Sequence, residues 1–404
     1  MNGKDILILP DILFDMVKVL LSGMSSWHMP NTAASFNQLD GLSAIWTGAS
    51  RPKNIDPAFY RRIWPYHLAQ KPYYHLPFPQ LEEWMRWVNL PFYDTWMRRQ
   101  SLPADATVVQ GPMGSCWSLF GMAERSGRKV LKVFDSTNSH PTTQFGYWQR
   151  ECDLYSGNYR IPIPHWVRSR INREIEMADV VLCPSFFVRD TMIINGIPEE
   201  KCFVSHFGVD ISIFKPRILP PAKPRFVCIG SLTVRKGHQY LLRAFAEVKK
   251  QMPDAELVCV GGIRPDFYKE FQRWQGTFTH HKFLSHPQIA ELLTTSTAFV
   301  FPSLEEGFAR VLSEAMACGI PIIASYESGA TTIVNDGIEG IIVHPRNIPQ
   351  IAHAMIAAAA DKDANIRMGR QAFAVGGESN TWLDYAKRLH GEYRRRLAVT
   401  TSLS

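Results

Sequence analysis

The chain has 404 residues, 46% hydrophobic and 20% charged, which is enough for one large core or, by ordinary domain size, two. A net charge of +7 favours anionic partners such as nucleotides, phosphates or an acidic membrane surface without choosing among them. The seven cysteines are dispersed and odd in number, which excludes a CxxC metal or redox pair and points to buried thiols in a reducing compartment.

The opening stretch ILILPDILFDMVKVLLSG is apolar, but Pro10, Asp11, Asp15 and Lys18 interrupt it and no basic region precedes it. Neither a signal peptide nor a membrane span is expected there, so the protein is expected in the cytoplasm. ILIL, LSAIW, TVVQG, KVLKVFD, DVVLC and KCFVS read as strands, with helical patterns such as WSLFGMAERSG and SFFVRDTMIING between them.

Residues 59–96 hold twelve aromatics, among them Trp64, Trp84, Trp87 and Trp96, interleaved with arginines and a lysine up to Arg99. Three readings stand: a membrane-interface surface, core aromatics with snorkelling cations, or a platform for sugar rings. No recognisable module supports nucleic-acid binding. Further on, GPMGS makes Gly111 and Gly114 weaker candidates for a close-approach loop, although a glycine pair is equally plain turn chemistry. His140 follows the strand VLKVFD in a His-Pro loop.

GVDISIFKPRILPPAKPR has four prolines between 216 and 224 and no periodicity, which places an interdomain linker at 208–224. Beyond it, short β-branched runs alternate with helical periods: RFVCIG, HQYLLRAFAEVKKQM, ELVCVGG, HPQIAELLTTS, TAFVFP, FARVLSEAMAC and PIIAS. Such alternation builds βαβ units around a parallel sheet. The expected architecture is α/β, with two doubly wound Rossmann-like domains over 1–207 and 225–376 and a ligand cleft between them. After the FAVGGESN break, 380–398 reads as a helix that could pack back on the N-terminal domain.

In FVFPSLEEGFARVLSEAMACGIPIIAS a buried strand runs into a turn, and a helix is expected to start near Gly307. Its free N–H groups form an anion site that Gly307 lets a ligand approach. Glu306 and Glu314 then lie ~12 Å apart at a rise of ~1.5 Å per residue, which suits two parts of one extended ligand. The plainer reading pairs Glu314 with Arg310 across one helical turn.

This segment resembles the E-x7-E signature of the retaining glycosyltransferases of family 4, with Glu306 and Glu314 at its ends. GVDISIFKP, IGSLTVRKGHQYLLRAF and EMADVVLCPSFFVRD resemble that family as well, over about residues 105–345. The resemblance implies two Rossmann-like domains of the GT-B type and transfer of a hexose-type sugar from a nucleotide sugar to a hydroxyl, with retention. It implies Glu306 and His140 at the reacting sugar, Arg235, Lys236, Gly307, Phe308 and Ala309 at the donor diphosphate, and Glu314 at the ribose. Ser231 stands where many relatives carry arginine, and Ala309 and Arg310 follow EGF where relatives carry glycine and an apolar residue; Ser231 and Arg310 are weaker candidates.

The acceptor implied is a glycan, a lipid-linked sugar or a small molecule, bound by the N-terminal domain with peripheral membrane contact possible through 59–99. No cofactor and no metal are expected; His280, His281 and His286 lack a carboxylate pattern beside them. The alternatives are a sugar-nucleotide epimerase or a non-catalytic nucleotide-sugar-binding protein on the same fold.

Overall fold

The computed structural model describes residues 17–24, 28–63, 89–157, 159–161 and 163–402. The run ILIL and tryptophans 64, 84 and 87 lie outside the described residues. The first half runs β1 (Val19–Gly23), α1 (Met29–Gln38), β2 (Leu42–Thr47), β3 (Tyr60–Arg62), α2 (Leu90–Arg98), β4 (Val108–Pro112) and α3 (Cys116–Arg125). It continues through β5 (Leu131–Asp135), α4 (Pro141–Tyr155), α5 (His165–Met177), β6 (Val180–Cys183), α6 (Phe186–Ile194) and β7 (Cys202–Val204).

The second half holds β8 (Arg225–Ile229), α7 (His238–Gln251), β9 (Glu256–Val260), α8 (Tyr268–Trp274), β10 (Thr279–His281) and α9 (His286–Thr294). There follow β11 (Ala298–Phe301), α10 (Arg310–Ala317), β12 (Ile322–Ser325), β13 (Gly340–Val343), α11 (Ile348–Ala360), α12 (Lys362–Phe373) and α13 (Trp382–Ser402).

Two sheets result, ordered β3-β2-β1-β4-β5-β6-β7 and β10-β9-β8-β11-β12-β13. Every neighbour pair is parallel. Both repeat the 3-2-1-4-5-6 winding, which reverses direction beside its first strand and opens a crevice at the carboxyl ends there. Helices cover both faces, so β1, β2, β4, β6, β11 and β12 are buried along their length. β1 lies in KVLLSG, further along the apolar N-terminal run in which the sequence places a strand at ILIL.

Local chemistry sets the helix starts that matter. His140 caps α4 by accepting the Thr142 N–H at Nδ1, with Pro141 as the first helical residue. α7 begins after Gly237, where φ is +75° and a Cβ would stand 1.9 Å from the Pro302 carbonyl oxygen. Only glycine fits that approach of the second loop to β11.

α13 crosses back onto the N-terminal domain, where its Tyr393 stacks on Phe36 at 6.3 Å and donates a hydrogen bond to Gln110 at 2.9 Å. Trp96 packs edge-on to Trp46 at 5.7 Å, and Arg61 lies over the same indole. In the described part of 59–99 Tyr93 is buried, Phe59, Tyr60 and Trp96 are half-buried, and Phe92 is exposed. No described helix is long and apolar enough to cross a membrane.

The domains meet through buried polar groups. Glu151 of α4 is fully buried and accepts hydrogen bonds from Gln239 Nε2 at 3.0 Å, Tyr240 Oη at 2.9 Å and Arg346 Nε at 2.9 Å, all from the other domain. Across the same face Trp148 Nε1 donates to Asp266 at 2.8 Å. Removing one member of such a set leaves charge buried without its partner, so Glu151→Ala is expected to cost about 3 kcal/mol and Glu151→Gln less. Urea unfolding of the two variants checks both the size and the order.

Candidate active site

Five residues of the turn after β11 organise the cleft. Ser303 to Gly307 leave the sheet through bends at Leu304, Glu305 and Gly307, and the two acids meet different partners. Glu305 is fully buried and turns to the N-terminal domain, accepting the Ser139 N–H at 3.1 Å and the Ser139 hydroxyl at 2.8 Å. Its other oxygen pairs with Arg235 at 2.7 Å. Glu306 faces the loop after β8, with its carboxylate 3.2 Å from Lys236 Nζ and 3.5 Å from Arg235.

Burial alone would raise the Glu306 carboxyl, but the Lys236 ammonium and the Arg235 guanidinium hold it below its ordinary value. Glu306 is therefore a carboxylate at neutral pH. Lys236 also lies over the Phe301 ring at 5.4 Å and against Gly230 at the end of β8. Arg235 pairs with Glu305 and also lines the interdomain cavity beside Lys236.

Between the domains opens a cavity of about 300 Å3, walled by Gln144, Phe145 and Trp148 on one side and Ser231, Lys236 and Arg264 on the other. Ser231 is exposed at this cavity. Arg264 is a wall residue that sequence reasoning did not single out; its loop pairs with the phosphate loop, Leu232 bridging Ile263.

The helix expected from Gly307 begins at Arg310 instead. Ala309 has extended dihedrals (φ −72°, ψ 100°), and its N–H donates to the Ser328 carbonyl at 3.3 Å. The Glu306 N–H is likewise taken by the Glu327 carbonyl at 2.9 Å. A straight helical rise from Glu306 to Glu314 therefore does not describe their separation. Gly307 does meet a close approach, but from the protein: a Cβ there would stand 2.0 Å from the Thr137 carbonyl oxygen, and Ser185 Oγ donates to the Gly307 carbonyl at 2.6 Å. Phe308 packs on Phe207 at 6.2 Å and His206 at 5.9 Å, in the interdomain core.

Glu314 lies on α10 and is 7% exposed. Burial raises its carboxyl, offset in part by Arg310 one turn before it and by His286. His140 sits in the loop that meets Glu305 and Gly307, its N–H bonded to Thr191 Oγ1 at 3.1 Å. Burial lowers its imidazole to about 4, so the ring is neutral and Nδ1 is free to accept.

The GPMGS candidates resolve differently. Gly111 belongs to β4, against Leu119 and Cys116, and is no loop. The Gly114 and Trp117 N–H groups at the start of α3 donate to Glu174 at 2.7 and 2.9 Å. That helix N-terminus already holds an anion of the protein itself. His280 of β10 bonds the Gly261 carbonyl at 2.8 Å and stacks on Phe271.

Two facing parallel sheets with this winding and this acidic turn define the two-domain glycosyltransferase architecture of GT-B type. Sucrose-phosphate synthase of Thermosynechococcus elongatus superposes with a TM-score of 0.70 at 19% identity, covering 95% of this chain and 100% of that one. HepE of Anabaena, solved with UDP and glucose, gives 0.66 at 16% identity over 93% and 99%. Residues 210–375 match the model of the glycosyl transferases group 1.

D-inositol 3-phosphate glycosyltransferase of Kribbella flavida is 26% identical over 205 residues, covering 45% of this chain and 48% of the relative. Alpha-maltose-1-phosphate synthase of Mycolicibacterium smegmatis is 26% identical over 248 residues, covering 55% and 62%. The chain thus spans about half to three fifths of the length of these curated relatives.

Two outcomes follow. The pKa of His140 drops from 6.5 unfolded to about 4 folded, so between those values only the unfolded chain binds the proton. Its contribution to stability is complete above 6.5 and is lost as pH falls towards 4; His206 and His238, each lowered to about 3 by burial, act with the same sign. Urea unfolding at pH 7, 5.5 and 4.5 should show the loss, with a shallower slope in His140→Asn, which keeps a capping acceptor. Gly307→Ala forces its Cβ into Thr137, costs about 1–3 kcal/mol and parts the domains; a small-angle scattering curve like the parent's would contradict it.

Proposed function

We propose that the protein is a retaining hexosyltransferase that moves a sugar from a nucleoside diphosphate sugar to a hydroxyl acceptor. The observation that carries the reading is the Glu306–Lys236 pair at 3.2 Å, whose lysine lines the interdomain cavity, in a chain whose residues 210–375 match the glycosyl transferases group 1. The solved neighbour that contains UDP and glucose shares the fold, which supports a uridine or related donor across the same cleft.

In this reading the acceptor hydroxyl attacks the anomeric carbon on the face from which the diphosphate departs. The carbon–oxygen bond to the β-phosphate breaks, its electron pair leaves with the diphosphate, and the hydroxyl proton passes to a phosphate oxygen. Lys236 receives the charge that develops on the leaving group, so its attraction is strongest in the transition state. Glu306 holds Lys236 and the sugar hydroxyls in place, and neutral His140, its Nδ1 taken by the Thr142 N–H, donates from Nε2 to a sugar hydroxyl on the N-terminal side. Glu314 takes the ribose. The reading assigns the phosphate charge to side chains and needs no metal ion or cofactor.

Arg235, held by Glu305, acts as a positioning residue that fixes the loop carrying Lys236. The domain assignments are part of the same proposal: donor on the C-terminal domain, acceptor on the N-terminal one. A panel of UDP-, GDP- and ADP-sugars with purified protein separates transfer from mere binding, and thus an enzyme from a nucleotide-sugar sensor. Lys236→Ala is expected to lower kcat by about 100-fold or more, and Glu306→Ala similarly, while Glu314→Ala raises KM chiefly. Parent-like kinetics in all three would remove the site assignment.

A further inference from the structure

A cavity of about 760 Å3 in the N-terminal domain is a groove between α4 and α5 that the donor chemistry does not use. It is walled by Phe145, Arg150, His165, Arg168, Ser169 and Asn172. Phe145 also walls the interdomain cavity, so the two spaces meet at one ring. The groove starts at Pro141 and Thr142, directly after His140.

Its polarity is unbalanced. Arg168 lies with its guanidinium 4.9 Å from the centre of the Phe145 ring, yet its Nε is buried and has no hydrogen-bond partner, and Asn172 Oδ1 is in the same condition. Neither Arg150 nor Arg168 makes an ion pair among the described residues. The one carboxylate on the wall, Asp153, pairs outward with Arg160 at 2.6 Å. The wall thus offers cationic charge with no carboxylate of the protein turned to it, a charge that an anionic ligand in the groove would meet.

At His165 and Ser169 the groove joins a second hollow of about 450 Å3, walled by Trp117, Trp166 and Arg173. The two indoles are 37% and 45% exposed, and Arg173 lies 5.9 Å from the centre of the Trp117 ring. An exposed indole flanked by cations gives a sugar ring an apolar face to lie on and its acid groups a charge to meet. A lipid surface could meet the cations and indoles, but a flat headgroup plane does not follow two concave hollows in series, whereas a chain of sugar rings does.

The geometry points to an acidic oligosaccharide as the occupant of this track, its anionic groups on Arg150 and Arg168, a ring on Trp166, and its reacting end at Phe145 beside the cleft. This rests on the proposed transferase only in making that occupant the acceptor. Binding itself is independent of the donor.

Isothermal titration of the full chain with tetragalacturonate, with maltotetraose as the neutral control, tests it. Tetragalacturonate is expected to bind at least about tenfold more tightly than maltotetraose, and Arg150→Gln and Arg168→Gln each to weaken it about tenfold. Arg150 is exposed, so that variant should fold even where Arg168→Gln does not. Equal binding of the two sugars, no binding to the parent, or affinity unchanged in Arg150→Gln would overturn the assignment. So would flotation with phosphatidylglycerol vesicles that the same substitutions abolish, since it would make this face a membrane contact. UDP titration of the parent keeps the two readings apart: UDP binding without tetragalacturonate binding sinks only the groove, and the reverse sinks only the donor cleft.

Discussion

The cleft depends on one buried carboxylate. Glu305 sits at zero exposure between two domains, where an ion would be strongly disfavoured without partners, and it receives two donors from Ser139 and one guanidinium from Arg235. Because those partners come from opposite sides of the cleft, the desolvation cost is offset only when the domains stand as they do. The contact places Arg235, and with it the turn that carries Lys236. It also holds the loop 136–139, and so His140, against the acidic turn.

Around this point the interface is polar. Glu151 and Asp266 each gather donors, Glu151 from across the interface and Asp266 from both sides of it. Such groups specify one relative placement of the domains, since a shifted arrangement would strand carboxylates away from their donors. Glycine at 307 lets the Thr137 backbone come to within contact of the acidic turn. The helix α13 adds apolar contact and a hydrogen bond to Gln110, fastening the end of the chain to the first domain.

Much of the fold was legible because parallel sheets write themselves as short apolar runs between helical periods. The alternation from RFVCIG onwards maps onto β8 to β12 with little ambiguity, and the proline-rich 216–224 marks where the sheets part. β1 was harder, since VLLSG sits inside a longer apolar run with no turn residue before it. The helix at the acidic turn was misjudged by three residues: periodicity through Phe308 mimics a first turn, whereas Phe308 is buried by interdomain packing on Phe207. Tertiary contact, not helical period, put it inside.

The sequence by itself determined the class of fold and the residue types that meet at the turn: two acids, a glycine and, from the loop after β8, two cations. Those follow from local periodicity and spacing, which each short segment carries alone. Only the tertiary structure decided which acid does what. Glu305 and Glu306 are neighbours with the same chemistry, and nothing in their order says that one locks the domains while the other faces Lys236. That choice is made by donors far away in the chain, Ser139 above all, because a buried charge is stabilised by what surrounds it in space.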